Sequence, residues 1–214
     1  MMLDPPAFIR ANTAIVPPPL VPEIRLHLAQ ESVPIWLKTE AELGQVNVPP
    51  PFWAFAWAGG QALARYILDN PAFFAGKRVL DLGAGGGLTA IAAMKAGAAC
   101  VLAADIDAMA REAIALNGAL NGVAIETTAE DLLAAPPATF DVILVGDLFY
   151  ERKLAERVDS FISVAAASGA LVLIGDPQRT YFPKGRFTLA AEYQVPVTRE
   201  LEDCLVKTTA VWRV

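Results

Sequence analysis

Four short apolar runs of this chain end in acidic residues, and glycines crowd the first of those ends. The runs close as Asp81-Leu82-Gly83-Ala84-Gly85-Gly86-Gly87, Asp105-Ile106-Asp107, Gly146-Asp147 and Gly175-Asp176. Carboxylates in such places can grip hydroxyl groups or hold a cation. A turn reading Gly83-x-Gly85-x-Gly87 lets the backbone come close to a ligand and turn into a helix. Asp105 stands 22 residues beyond Gly83, the spacing of an acid that grips a ribose diol. Aromatic residues are dense upstream, in Phe52-Trp53-Ala54-Phe55-Ala56-Trp57-Ala58-Gly59-Gly60, and follow the third acid in Asp147-Leu148-Phe149-Tyr150. Scattered acids would form a solvated surface. Acids at successive strand ends face one crevice.

That convergence needs neighbouring parallel strands, and the pattern supplies them. Strands are expected at Arg78–Leu82, Cys100–Ala104, Val123–Glu126, Phe140–Val145 and Ala170–Ile174. Helices alternate with them at Leu88–Ala96, Ala108–Leu120, stopped by Asn121-Gly122, and Glu151–Ala167. Fully apolar strands separated by helices imply an α/β fold, a parallel sheet covered on both faces. The alternation then stops. Arg186–Val195 and Cys204–Val214 read as two strands with no helix between them, an antiparallel edge. Upstream, Gln61–Leu68 is helical and Asn70-Pro71 ends it. Residues 1–22 read as an extended, proline-rich lead. Leu26 to Leu43 is expected to hold helix, interrupted near Pro34, and Pro49-Pro50-Pro51 is a second stiff punctuation. The expected division is an N-terminal extension over 1–50 and a sheet domain over 51–214.

Two cofactor classes share this layout. A nicotinamide dinucleotide requires Gly-x-Gly-x-x-Gly at the turn, and position 88 is Leu. No hydride-transfer pair follows, and the single histidine, His27, lies outside the alternating region as a surface or packing residue. S-adenosylmethionine (AdoMet) carries a sulfonium cation and no phosphate. Carboxylates and an aromatic face suit it, and Asp81, Asp105 and Trp57 offer both; the aromatic face is worth about 0.5–2 kcal/mol.

Val79-Leu80-Asp81-Leu82-Gly83-Ala84-Gly85-Gly86-Gly87 resembles motif I of the seven-stranded, Rossmann-like AdoMet-dependent methyltransferases. The terminal strand pair resembles their reversed seventh strand. Trp53 to Leu63, Asp147-Leu148-Phe149-Tyr150 and Gly175-Asp176-Pro177-Gln178-Arg179 are similar to segments of the protein-lysine methyltransferases that modify the beta subunit of electron transfer flavoprotein. The likeness runs from Pro49 to Arg179 and more loosely to the end. Motif I through Asn121-Gly122 also resembles the ribosomal-protein methyltransferases. The resemblance implies AdoMet at Gly83, Gly85 and Gly87, with Trp57 and Gly59 closing over it and Asp131 near adenine. It places Asp147 and Tyr150 at the substrate, a lysine of a protein.

A lysine amine must be neutral to attack a methyl group. Its unperturbed pKa is about 10.4, so removing the proton at pH 7 costs roughly 4–5 kcal/mol. Asp147 cannot lower that pKa, because a nearby anion favours the charged form. Its expected role is binding and orientation, with Tyr150 shaping the channel or hydrogen-bonding and no fixed base. The competing role for Asp147 is a cap on the following helix, with Leu148-Phe149-Tyr150 as packing. Asp107 is expected to cap a helix, leaving the ribose to Asp105. Asp176 and Arg179 line the substrate entrance or are structural. Trp53 and Phe55 belong to the core, as does Cys100.

Composition narrows the partners. The chain has 214 residues, 55% hydrophobic and 19% charged, with a net charge of −6, which excludes a disordered chain. The acidic balance argues against nucleic acid and suits a basic protein. Two cysteines provide no disulfide framework or cysteine metal site and fit a reducing compartment. No run of about 20 apolar residues occurs. Met1-Met2-Leu3-Asp4-Pro5-Pro6 fits neither a secretory signal nor an Arg-rich transit peptide, so a cytoplasmic protein is expected.

Overall fold

The computed structural model describes residues 4–30, 35, 37, 50–135 and 139–214. Asp4 opens the first helix, α1 (Pro5–Asn12), by accepting the Ala7 N–H, and the prolines sit in the first turn where no N–H is required. Two short strands, β1 (Ala14–Val16) and β2 (Leu26–Leu28), then pair antiparallel. The lead is therefore folded rather than extended through residue 22. Leu26–Leu28 is strand, not helix, because all three residues are buried and β1 supplies the ladder. The rest of the helix expected to Leu43, with its break near Pro34, lies outside the described residues apart from Ile35 and Leu37.

The alternating region begins with α2 (Ala58–Asp69), three residues earlier than its apolar pattern suggested, directly after Trp57 in extended backbone. It continues as β3 (Arg78–Leu82), α3 (Leu88–Lys95), β4 (Cys100–Ala104), α4 (Ala108–Leu120), β5 (Glu126–Thr128), β6 (Val142–Val145), α5 (Arg152–Ala167) and β7 (Leu171–Asp176). The expected strand at Val123 starts three residues later. The Val123 N–H bonds back to the Gly118 carbonyl, so this residue closes α4 instead. The chain ends with β8 (Thr188–Pro196), a four-residue helix α6 (Arg199–Glu202) and β9 (Val206–Arg213). The helix was not expected, since four residues carry no period.

The seven strands lie in the order β5-β4-β3-β6-β7-β9-β8, with β5, β4, β3, β6 and β7 parallel and β9 antiparallel to both its neighbours. Side chains alternate across it. Val79, Val142 and Leu144 join Leu63, Ile67 and Ile91 on the face covered by α2 and α3. Leu80, Ile143 and Val145 join Val158, Phe161 and Ile162 on the face covered by α5. Cys100 is not core: it is exposed at the first position of β4. No helix among the described residues is long and apolar enough to cross a membrane.

The first turn of α2 lies hard against the end of β7. A Cβ on Gly59 would stand 2.1 Å from the Gly175 carbonyl oxygen and 2.6 Å from Asp147 Oδ2, whereas one on Gly60 meets nothing within 4 Å among the described residues. Gly59→Ala is expected to destabilise by about 1–3 kcal/mol or more, by backbone displacement. Gly60→Ala should be neutral or stabilising by up to about 1 kcal/mol, since Ala replaces Gly inside a helix. Urea unfolding of the two variants checks the contrast.

Candidate functional site

The glycine turn joins β3 to α3, and Gly83, Gly85 and Gly87 all have left-handed backbone, with φ of 65°, 54° and 83°. The Gly85 N–H donates to Asp105 Oδ2 at 2.8 Å, and the Asp107 N–H donates to Asp105 Oδ1 at 3.0 Å. Each carboxylate oxygen thus uses one lone pair and keeps another for a ligand. Burial raises the Asp105 carboxyl above the ordinary range, against the pull of these two N–H groups. Asp107 caps α4 by accepting the Met109 N–H, as expected. Asp81 is buried beneath the turn, where Thr89 Oγ1 donates to it at 2.6 Å; burial still lifts it to about 7. Ile106, 75% exposed, stands between the two acids of the β4 end.

These residues fit AdoMet. A carboxylate anchored beside the glycine turn, at the spacing expected of a ribose contact, is a donor set that such a cofactor can use without a phosphate. Among the described residues, only Trp53 Cα, at 3.8 Å, lies within 4 Å of where a Gly85 Cβ would stand.

The second half of the site stands one strand along. Leu148 overlies the turn, its Cδ2 2.7 Å from where a Gly83 Cβ would be. Asp147 ends β6 with its carboxylate divided between two partners. Oδ2 accepts the Gly60 N–H at 2.8 Å, and Oδ1 accepts Arg179 Nε at 2.9 Å and Nη2 at 2.7 Å. Nη2 also donates to Glu202 Oε1 at 2.8 Å, and Lys207 Nζ lies 3.6 Å from Glu202 Oε2. The guanidinium sits 5.4 Å from the centre of the Trp57 ring. Burial works against its charge, but Asp147 and Glu202 overcome this and hold Arg179 above its ordinary range. Burial raises the Asp147 carboxyl, and Arg179 opposes the rise. Asp147 does not cap α5; Glu151 holds the N-cap position there.

Behind this pair, Asp176 Oδ1 accepts the Arg179 N–H at 2.7 Å, while the buried Oδ2 has no partner among the described residues. Burial first, and the Asp147 charge second, raise its pKa to about 7. Half-exposed Tyr150 packs on Phe52 at 5.5 Å between ring centres, and Phe52 reaches Trp57 at 5.8 Å. A cavity of about 270 Å³ opens here, lined by Tyr150, Pro177, Gln178, Arg179, Thr180 and Lys207.

The expected residues therefore meet in two linked groups. Gly83, Gly85, Gly87, Asp81 and Asp105 form the turn. Asp147 and Trp57 contact Arg179, Gly59 lies against Asp147, and Tyr150 lines the cavity beside Arg179. Asp131 is elsewhere engaged: both its oxygens accept Arg157 Nη2, at 2.8 and 2.7 Å, on the surface. Trp53 is buried, as expected, and Phe55 lies beside Trp57 at 6.1 Å. His27 is a buried packing residue, its Nδ1 3.0 Å from Thr13 Oγ1. Glu202 and Lys207 were not foreseen. Glu202 comes from the β8–β9 connection and Lys207 from the start of β9, where no motif marks them, and only the antiparallel return of β9 brings them to the site.

A seven-stranded sheet with a reversed edge, a glycine turn on its third element and an acid at the next strand end define an AdoMet-dependent methyltransferase. The family described as ribosomal protein L11 methyltransferase (PrmA) matches residues 63–175. The magnesium protoporphyrin IX methyltransferase of Synechocystis PCC 6803, solved with bound SAM, is 20% identical with a TM-score of 0.52, covering 72% of this chain and 76% of that one, and shares the fold. The electron transfer flavoprotein beta subunit lysine methyltransferase of Mus musculus is 40% identical over 98% of this chain and 85% of its own length. The ribosomal protein L11 methyltransferase of Pelobacter propionicus is also 40% identical, but over 53% of this chain and 36% of its own length. The chain belongs to the family of electron transfer flavoprotein beta subunit lysine methyltransferases.

The orphaned oxygen of Asp176 has a signature in pH. Its folded pKa lies above that of the unfolded chain, so it favours folding below about pH 4, and that contribution is lost as pH rises through about 7. Asp176→Asn removes the titration. The stability of the variant relative to the parent should be more favourable at pH 8 than at pH 4.5, read from urea midpoints.

Proposed function

We propose that this enzyme transfers methyl groups from AdoMet to lysine side chains of the electron transfer flavoprotein beta subunit. The observation that carries the substrate is the span of the likeness. The relatives named for that activity align along nearly the whole chain, including the β8–β9 segment that sends Glu202 to Arg179. The likeness to the ribosomal protein L11 methyltransferase covers only about half of it. A net charge of −6 suits a lysine-bearing protein and disfavours nucleic acid. The reading includes a reducing, cytoplasmic setting, to which the unpaired Cys100 and Cys204 are suited.

Gly83, Gly85, Gly87 and Asp105 hold the donor in this reading. Bound AdoMet supplies an electrophilic methyl group on a cationic sulfur. Trp57 and Gly59 border the space between the two halves. The lysine enters by the cavity beside Tyr150 and Lys207. Asp147 Oδ2 retains one lone pair beyond that given to Gly60, and it receives the ammonium. The carboxylate orients the nitrogen and leaves its pKa high, so the proton departs through the open cavity before attack. Alignment for in-line transfer supplies most of the acceleration. Arg179 and Glu202 keep Asp147 from turning away. Asp131 serves the adenine end through its backbone, since its carboxylate is committed to Arg157.

Purified enzyme, tritiated AdoMet and the recombinant flavoprotein test this. Label is expected on lysines of the beta subunit. Asp147→Asn should lower kcat by about 100-fold while circular dichroism and AdoMet binding stay near the parent. A flavoprotein left unlabelled beside strongly labelled ribosomal proteins overturns the substrate.

A further inference from the structure

The glycine turn is gripped from behind by a residue that touches no part of the crevice. Asn117, on α4, is completely buried, and both ends of its amide are used. Nδ2 donates to the Gly86 carbonyl at 2.8 Å, and Oδ1 accepts the His27 N–H of β2 at 2.8 Å. The same peptide unit is held at its other end, where the Gly87 N–H donates to the Ala84 carbonyl at 2.8 Å. The orientation of the Gly86–Gly87 peptide is thus fixed at both poles. The next face of the turn is closed by backbone: a Cβ on Gly86 would meet the Trp53 carbonyl oxygen at 2.7 Å.

The support comes from the N-terminal part of the chain. The Ala29 N–H, just past β2, donates to the Ala54 carbonyl at 2.9 Å, so β2 and the Phe52–Ala54 turn move together. One helical turn beyond Asn117, Asn121 takes the Arg25 backbone at both ends, accepting its N–H at 3.1 Å and donating to its carbonyl at 2.7 Å. Asn121 anchors the same segment without touching the glycine turn.

We propose that Asn117 is a positioning residue of the donor site, carrying the placement of the N-terminal hairpin to the glycine turn through Gly86. A glycine-rich turn has more backbone freedom than any other segment of its length. A ligand that must order it binds more weakly than one that finds it ordered. Asn117 supplies that order before AdoMet arrives, and the N-terminal segment becomes part of the cofactor site without contacting the cofactor. The inference concerns the donor half alone and stands whichever protein is methylated.

Calorimetric titration of AdoMet, and of its demethylated product as an unreactive ligand, tests this on three variants of the full chain. Asn117→Ala removes both bonds. Asn117→Asp keeps the acceptor for His27 and loses the donor to Gly86; being isosteric, it is the variant that decides should Asn117→Ala fail to fold. Asn121→Ala loosens the hairpin and leaves Gly86 held. Both Asn117 variants should raise the Kd for AdoMet at least about fivefold, the loss of one buried hydrogen bond. Their KM for AdoMet should rise likewise, with KM for the protein acceptor unchanged. Asn121→Ala should stay within about twofold of the parent despite a comparable fall in Tm. Parental AdoMet affinity in Asn117→Asp overturns the proposal. So does equal weakening by Asn121→Ala, which would mean that general loosening of the hairpin is responsible.

Discussion

The Asp147 carboxylate is the joint on which this site turns. One oxygen receives the Gly60 N–H in the first turn of α2, and the other receives the Arg179 fork. Those contacts join β6, α2 and the segment after β7. A carboxylate at a helix N-terminus meets unpaired donors and the positive end of the helix dipole. It is reached only because residues 59 and 175 are glycines, which let α2 and β7 approach until no Cβ fits between them. Replace either glycine, and the helix start withdraws from the acid. Small residues in the packing therefore set the electrostatics of the site.

Arg179 makes the arrangement tolerable. Three acids, Asp147, Asp176 and Glu202, stand around it with little solvent, and two of them have raised pKa values from burial first. A buried acid without a counter-charge takes up a proton instead of serving as an anion. The guanidinium, planar and permanently charged, satisfies Asp147 through Nε and Nη2 and still reaches Glu202. A lysine could not span the same set. The cost falls on Asp176, whose second oxygen has no partner among the described residues and whose carboxyl is raised by burial and by the Asp147 charge.

How far the sequence reveals this follows from where each part gets its stability. The parallel strands are legible because β3, β4, β6 and β7 are short, predominantly apolar and largely buried runs closed by turn residues. Asp105 and Asp147 are legible for the same reason: each is the first polar residue after such a run. The N-terminal hairpin is not. Strands of three residues have too little pattern to show, and β2 exists because β1 pairs with it and Asn117 holds it from 90 residues away. Glu202 is hidden for a related reason. Its place beside Arg179 depends on β9 running back along β7, a tertiary event with no local signal. Asp131 shows the reverse limit, a position suggested by resemblance whose side chain a neighbouring arginine had already claimed.

The two halves of the site are supported by different parts of the chain, and this has a consequence for how they can vary. The glycine turn hangs on α4, the N-terminal hairpin and the Phe52–Ala54 turn, through Asn117 and Trp53. The Asp147 group hangs on α2 and the connection between the terminal strands, through Gly60 and Glu202. The glycine turn and Asp147 touch chiefly through Leu148, an apolar contact that tolerates small shifts. Energetic coupling is strongest among groups that share a hydrogen-bond network and weak between networks. Changes in the β8–β9 connection then act on the network around Asp147 and leave the network around the glycine turn as it is. The match to the ribosomal protein L11 methyltransferase family covers residues 63–175, which hold the glycine turn, Asn117 and Asp147 and leave out the β8–β9 connection.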